Sequence, residues 1–202
     1  MYLRLFSIAL LAAFSGCGSL IAQTSGPAST AGPMAVAGSE LSPVPLEWVP
    51  PALSQMSAQA TGKTSFTLDR SMLSAAAGLT GDVDEDTKHA IGKLDGVSVH
   101  VLRFNDGMED PVLLGEIRDA YHVPGWKHVI SEGHGSEYRD NATDVWVVME
   151  GANLRGAVVL VQSPKSITLA TVAGNLSPVD LLHLRGHFGI PRFDGDELKR
   201  ER

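Results

Sequence analysis

The chain has 202 residues, a net charge of −7, 44% hydrophobic residues and one cysteine. The acidic balance excludes nucleic acid and anionic lipid headgroups as partners, because both are held by basic surface. A lone cysteine excludes an intramolecular disulfide and any multi-cysteine metal site, so the folded part is stabilised by its core.

The first elements read as an export signal over residues 1–22. Arg4 supplies positive charge, and Leu5 to Phe14 form an apolar run of the length of a signal core. Ten such residues rise only about 15 Å as a helix, too short to cross the hydrocarbon of a bilayer. Two processing sites compete. Phe14-Ser15-Gly16-Cys17 resembles the lipobox of bacterial lipoproteins, which would make Cys17 a lipidated N-terminus anchored to a membrane. Gly18 after it implies outer-membrane sorting in a Gram-negative host. Leu20-Ile21-Ala22 is a loose ordinary signal-peptidase site, which would discard Cys17 and release a secreted or periplasmic protein.

Residues 23–46 are built mainly of Ala, Ser, Thr, Gly and Pro, with no aromatic residue. They cannot bury enough apolar surface to offset ordering entropy, and predict a disordered tether reaching about 25 Å. A single globular domain is expected over 47–191, about 150 residues and enough for one core. It is followed by a charged tail over 192–202.

Within the domain, Pro50 and Pro51 suit a first helical turn, and Leu53, Met56 and Ala60 share one face. "TSFTLD" alternates as a strand, and "RSMLSAAAGL" and "DEDTKHAIGKLDG" read as helices, the second with Ile91 and Leu94 on one side. "GVSVHVLRF" is a strand, followed by a helix from about Pro111 to Tyr121. Then "WKHVIS", "DVWVVME", "LRGAVVLVQ" and "SITLATV" are β-rich runs separated by turn signals, the pattern of an antiparallel meander. A final helix starts at Ser177, with Pro178 at its first position and Asp180 placed for a capping box.

The expected class is α+β: a mixed, largely antiparallel sheet of about six strands, the last four forming the meander, with helices packed on one face. Trp146 and Val148 lie opposite Val145, Val147 and Met149, so their strand is apolar on both sides. Either it is central and covered twice, or Trp146 and Val148 form a binding face.

"FTLDRSML", "GVSVHVLRF", "VPGWKHV", "VWVVMEGANLRGAVVLV" and "ITLATVAGNLSPVDLLHL" together resemble the bacterial family catalogued as domain of unknown function 4252. The resemblance covers roughly Trp48 to Pro191 and rests on hydrophobic pattern and the Pro124–Trp126 turn. It implies an exported globular domain, many members having lipobox-like starts, and carries over no functional residues.

Of the chemistry-bearing residues, Asp180, His183 and His187 project onto one arc of the final helix, the i, i+4 histidine spacing that can present two imidazoles to a metal ion. No Glu follows the first His, so this is not a metalloprotease helix. A second group gathers around the first meander strand: His122, His128, Glu132 and His134 with Tyr121 and Trp126, where His128 and Ile130 are expected on one strand face. "GHGSEY" lacks the nucleophile elbow of a hydrolase and the third glycine of a dinucleotide loop. The expectation is an exported cell-envelope module, non-catalytic and without cofactor, binding an envelope protein or ligand and lipid-anchored if Cys17 is modified. The alternative is a periplasmic metal-binding protein using the histidines of the last helix.

Overall fold

The computed structural model describes residues 44–79, 84–105, 110–133 and 141–193. All of these belong to one compact unit, and the Cys17 region and its processing sites lie outside them. The elements are α1 (Pro51–Gln59), β1 (Gly62–Asp69), α2 (Arg70–Leu79), α3 (Glu85–Gly92), β2 (Leu94–Arg103), α4 (Pro111–Asp119), β3 (Trp126–Glu132), β4 (Ala142–Glu150), β5 (Asn153–Ser163), β6 (Ser166–Leu176) and α5 (Pro178–Leu184). The fold is α+β, with an open six-stranded sheet in the order β1-β2-β6-β5-β4-β3. Every pairing is antiparallel, and β3 to β6 form the expected meander. Leu94, assigned from its spacing to the helix before it, instead opens β2 and is still buried.

Strand alternation divides the core into two layers. One apolar row, Phe66, Val99, Ala170, Val159, Val145 and Ile130, crosses all the strands in register. It lies in the layer that holds Leu73 of α2, Ala90 and Ile91 of α3, and Leu181, Leu182 and Leu184 of α5. On the opposite face, Leu102, Ile167, Leu169, Val158, Leu160 and Trp146 pack with Ala52, Leu53 and Met56 of α1 and Leu113, Leu114 and Ile117 of α4. Helices therefore cover both faces, not one. The reason lies in the central strands, which carry valine and leucine on both sides and need a layer against each.

The second face changes character along its rows. Thr67, Ser98, Thr171, Val158, Trp146 and His128 form one row, passing from hydroxyls at β1 to aromatic rings at β3. The next runs Ser65, His100, Leu169, Leu160, Asp144, Ser131. The apolar middle of these rows receives α1 and α4, and the polar flank is open at β1, while Ser98 of β2 is buried. Residues 63 to 67 of β1 are all exposed.

The boundary of the tether also moves. Val44, Leu46 and Trp48 pack onto the domain, although 44–46 read as part of a disordered spacer. Two sheet glycines make room for them. A Cβ at Gly156 would run into the Val44 side chain, and one at Gly96 would meet the Leu46 side chain and lie 2.8 Å from the Leu68 carbonyl oxygen. Alternate apolar residues in a Pro-rich stretch pack on the sheet around a turn at Leu46–Glu47, closed by the Trp48 N–H donating to the Pro45 carbonyl at 3.3 Å, a pattern that composition averages away. No helix among the described residues is long and apolar enough to cross a membrane.

Candidate functional site

The final helix forms where its cap was expected. Ser177 Oγ accepts from the Asp180 N–H at 3.2 Å, and the Asp180 carboxylate accepts from the Ser177 N–H at 2.6 Å. Lys93 Nζ donates to the same carboxylate at 2.8 and 3.0 Å. Burial pushes the Asp180 carboxyl up, but the Lys93 and Ser177 hydrogen bonds outweigh it and hold the group below its ordinary range. Its oxygens are thus committed to the cap and to Lys93.

The metal trio of the sequence is not assembled. α5 ends at Leu184, Arg185 is extended and Gly186 adopts φ +83°, so His187 has left the helix and the i, i+4 relation does not exist in space. Among the described residues, the potential ligand atoms that gather, all within 4.8 Å of one another, belong to Asp84, Asp86 and His183. Asp84 caps α3, accepting from the Thr87 N–H and Oγ1–H at 2.8 Å each, and these bonds lower its carboxyl pKa. Only His183 of the expected trio belongs to this group.

Trp146 and Val148 are 0% and 3% exposed, so neither forms an open binding face. Tyr121 stacks with Trp146 at 5.2 Å between ring centroids, and His128 does so at 4.7 Å. Trp48 and Trp126 meet Tyr121 edge-on. The Tyr121 hydroxyl has no hydrogen-bond partner among the described residues, and burial pushes its pKa far up. Beside this stack, buried Asp144 accepts from Arg118 Nε at 2.8 Å and lies 3.0 Å from His128 Nε2, while Arg118 Nη2 donates to Gln162 at 3.2 Å. The arrangement fixes α4 to the sheet.

The second histidine group is therefore split. His122 and His128 approach to 6.0 Å between rings, and His134 lies outside the described residues. A bulge at Val129 shifts the register, so His128 faces Trp146 while Ile130 pairs with Val145 on the other side. His128 and Ile130 do not share a face, because the extra residue reverses the alternation. Glu132 follows Ile130 onto that other side, two residues along.

An open concavity lies at the opposite edge. A groove of about 290 Å³ runs between α1 and β1–β2, lined by Val49, Leu53, Ser54, Ser57, Lys63, Thr64, Ser65, His100 and Leu102. Leu53, Leu102 and Val49 give it an apolar floor, and the hydroxyls and Lys63 line the rest. Half-buried His100 is held below the ordinary histidine range by burial, so it is neutral at pH 7, and its Nε2 lies 3.3 Å from Ser98 Oγ. Ser98 in turn accepts from Thr67 Oγ1 at 3.1 Å. Lys63 makes no ion pair among the described residues. Because Lys63 to Ser65 are consecutive, the groove reaches the backbone of β1, the edge of the sheet.

None of the groove residues stood out in the sequence by motif. A signal was present in β2, where Ser98 and His100 alternate with Val97, Val99 and Val101, marking a strand with one polar side. No family model and no curated protein matches the chain.

Proposed function

We propose that this chain is an exported, non-catalytic envelope module that captures an extended segment of a protein partner on the edge strand β1. The observation that carries this reading is the state of that edge. β1 pairs with β2 over eight consecutive residues without a bulge, and its residues 63 to 67 are exposed on both sides. An unpaired strand edge offers a row of backbone donors and acceptors to an incoming strand, the basis of recognition by β-augmentation. The other edge, β3, is interrupted by its bulge. Phe66 and Met72, 37% and 53% exposed, flank β1 on one side, and the groove flanks it on the other.

Burial of Trp146 and Val148 favours the edge over the sheet face. The export signal, and the resemblance to domain of unknown function 4252, support placement in the envelope. Lipidation at Cys17 would keep the domain on a membrane face. Intact mass of the mature N-terminal peptide from native membranes tests that part: a diacylglyceryl-modified Cys17 peptide is expected, and a soluble peptide starting at Gln23 would make the protein a free one.

The edge reading is tested by a proline scan of residues 63 to 67. Proline at positions whose N–H points outward removes a donor to the partner while sparing the β1–β2 ladder. Loss of capture of cross-linked native partners by such a variant, with the fold intact, is expected. Unchanged capture by every folded variant would end the reading.

A second reading rests on Asp84, Asp86 and His183, whose oxygen and nitrogen donors suit zinc. Calorimetric titration of the metal-free protein with zinc, compared with His183→Ala, tests it. The absence of any saturable heat would remove it.

A further inference from the structure

The groove beside β1 says what kind of strand the edge accepts, and this inference rests on the edge reading above. A strand added to β1 would lie about 4.8 Å beyond it, with alternate side chains on the face that carries Lys63 and Ser65. Those side chains stand beside Lys63 and Ser65 at the mouth of the groove, which Ser54 and Ser57 of α1 also line. Three properties of this space define its ligand.

The first is charge. Among the described residues Lys63 is a cation without an ion-pair partner, and none of those that line the groove is a carboxylate. In a chain of net charge −7, a cation left uncompensated in a concavity favours an anion. The second is hydrogen bonding. Ser57 Oγ donates to the Ser54 carbonyl at 2.7 Å and keeps its lone pairs, while among the described residues no bond ties the Ser54 and Ser65 hydroxyls, which can donate to an incoming oxygen. The third is size. A volume of about 290 Å³ exceeds one carboxylate side chain, and its floor of Leu53 and Leu102 is apolar. It suits two side chains at alternate positions of one strand, one acidic and one aliphatic.

We infer that the groove receives the carboxylate of an acidic residue, next to an aliphatic one two positions away, from an extended peptide paired with β1. The carboxylate meets Lys63 and the Ser65 hydroxyl as cross-strand neighbours, and the aliphatic side chain packs along the Lys63 stem at the mouth of the groove. The backbone ladder supplies affinity that is blind to sequence, and the groove supplies the choice.

The test uses the full chain and three blocked hexapeptides: acetyl-Thr-Val-Thr-Glu-Thr-Val-amide and the versions with Gln or Lys in place of Glu. Binding is read by calorimetry, and its location by amide shifts in β1 and β2. The Glu peptide is expected to bind about fivefold more tightly than the Gln peptide, the scale of one partly exposed charge pair. Lys63→Glu is expected to reverse the order, so that the Lys peptide binds best. Lys63→Gln, which carries no risk of new repulsion, should abolish the preference and leave the Gln peptide unaffected. Equal binding of the Glu and Gln peptides on β1 would overturn the acidic specificity and leave the edge reading standing. No binding by any of the three, with β1 amides unmoved, would overturn both.

Discussion

At the scale of single residues, the stability of the last helix converges on Asp180. Its carboxylate closes the capping box and pairs with Lys93 across 87 positions of sequence. Truncating a cap costs about 1–2 kcal/mol, and stranding Lys93 adds to that. Asp180→Ala is therefore expected to lower stability by about 2 kcal/mol in urea denaturation, with the m value unchanged. The sign of the pH dependence follows from the lowered folded pKa. In the unfolded chain the group titrates near its ordinary value of about 3.9, so its stabilisation is complete above that pH and is lost as pH falls through the lower folded value. Asp180→Asn should flatten the acid limb of stability below about pH 4; an unchanged limb would show that other carboxylates dominate it. His100 gives the opposite end of the range. Burial lowers its folded pKa, so the unfolded state binds the proton first and stability declines as pH drops below the unfolded value of about 6.5. His100→Gln should remove that slope. The cap was legible because Ser177 and Asp180 are neighbours in sequence. Lys93 was not, because nothing local in a Gly-Lys-Leu stretch points across the fold.

At the scale of elements, local period was a good guide where one rule acted alone and failed where a second intervened. The meander strands appear at their expected places because β-branched runs bounded by turns have few alternatives. The histidine pair of the last helix failed because i, i+4 geometry assumes that the helix continues, and Arg185 is already extended, with Gly186 at φ +83° turning the chain after it. The shared face of His128 and Ile130 failed because a bulge inverts alternation without leaving a composition signal. Trp146 carried the information for two helical layers, since a strand apolar on both sides is covered twice. Trp146→Ala should then act as a core truncation, costing about 3–5 kcal/mol and loosening the contact of α4 with the sheet. The N-terminal segment makes an independent test. Gly96→Ala places a methyl against Leu46 and the Leu68 carbonyl, and the latter cannot move without disturbing β1. A loss of about 1–3 kcal/mol is expected. Stability equal to the parent would mean that neither the Leu46 side chain nor the Leu68 carbonyl is held against Gly96 in solution.

For the whole molecule, the distribution of cover sets the order in which parts open. β5 and β6 are paired on both sides and buried in both layers, with Val159, Leu160, Leu169 and Ala170 at 0% exposure. β1 has one neighbour, exposed side chains and few core contributions, of which Leu68 is the clearest. Opening β1 breaks a single ladder and leaves five strands with both layers closed, so it should be a sub-global event well below the free energy of full unfolding. Native-state amide exchange is expected to show β1 exchanging at least about tenfold faster than β5 and β6, with β3 intermediate because β4 and Trp126 packing restrain it. The same hierarchy explains why a partner site belongs at β1. A strand added to the free edge of β1 closes its sub-global opening, so peptide binding should slow β1 exchange, and it should slow β5 and β6, which exchange through full unfolding, by a comparable factor. Were β1 to exchange only through global unfolding, its protection without peptide would equal that of β5 and β6. The edge would then be a rigid rim, and the groove would have to select its ligand without help from the strand.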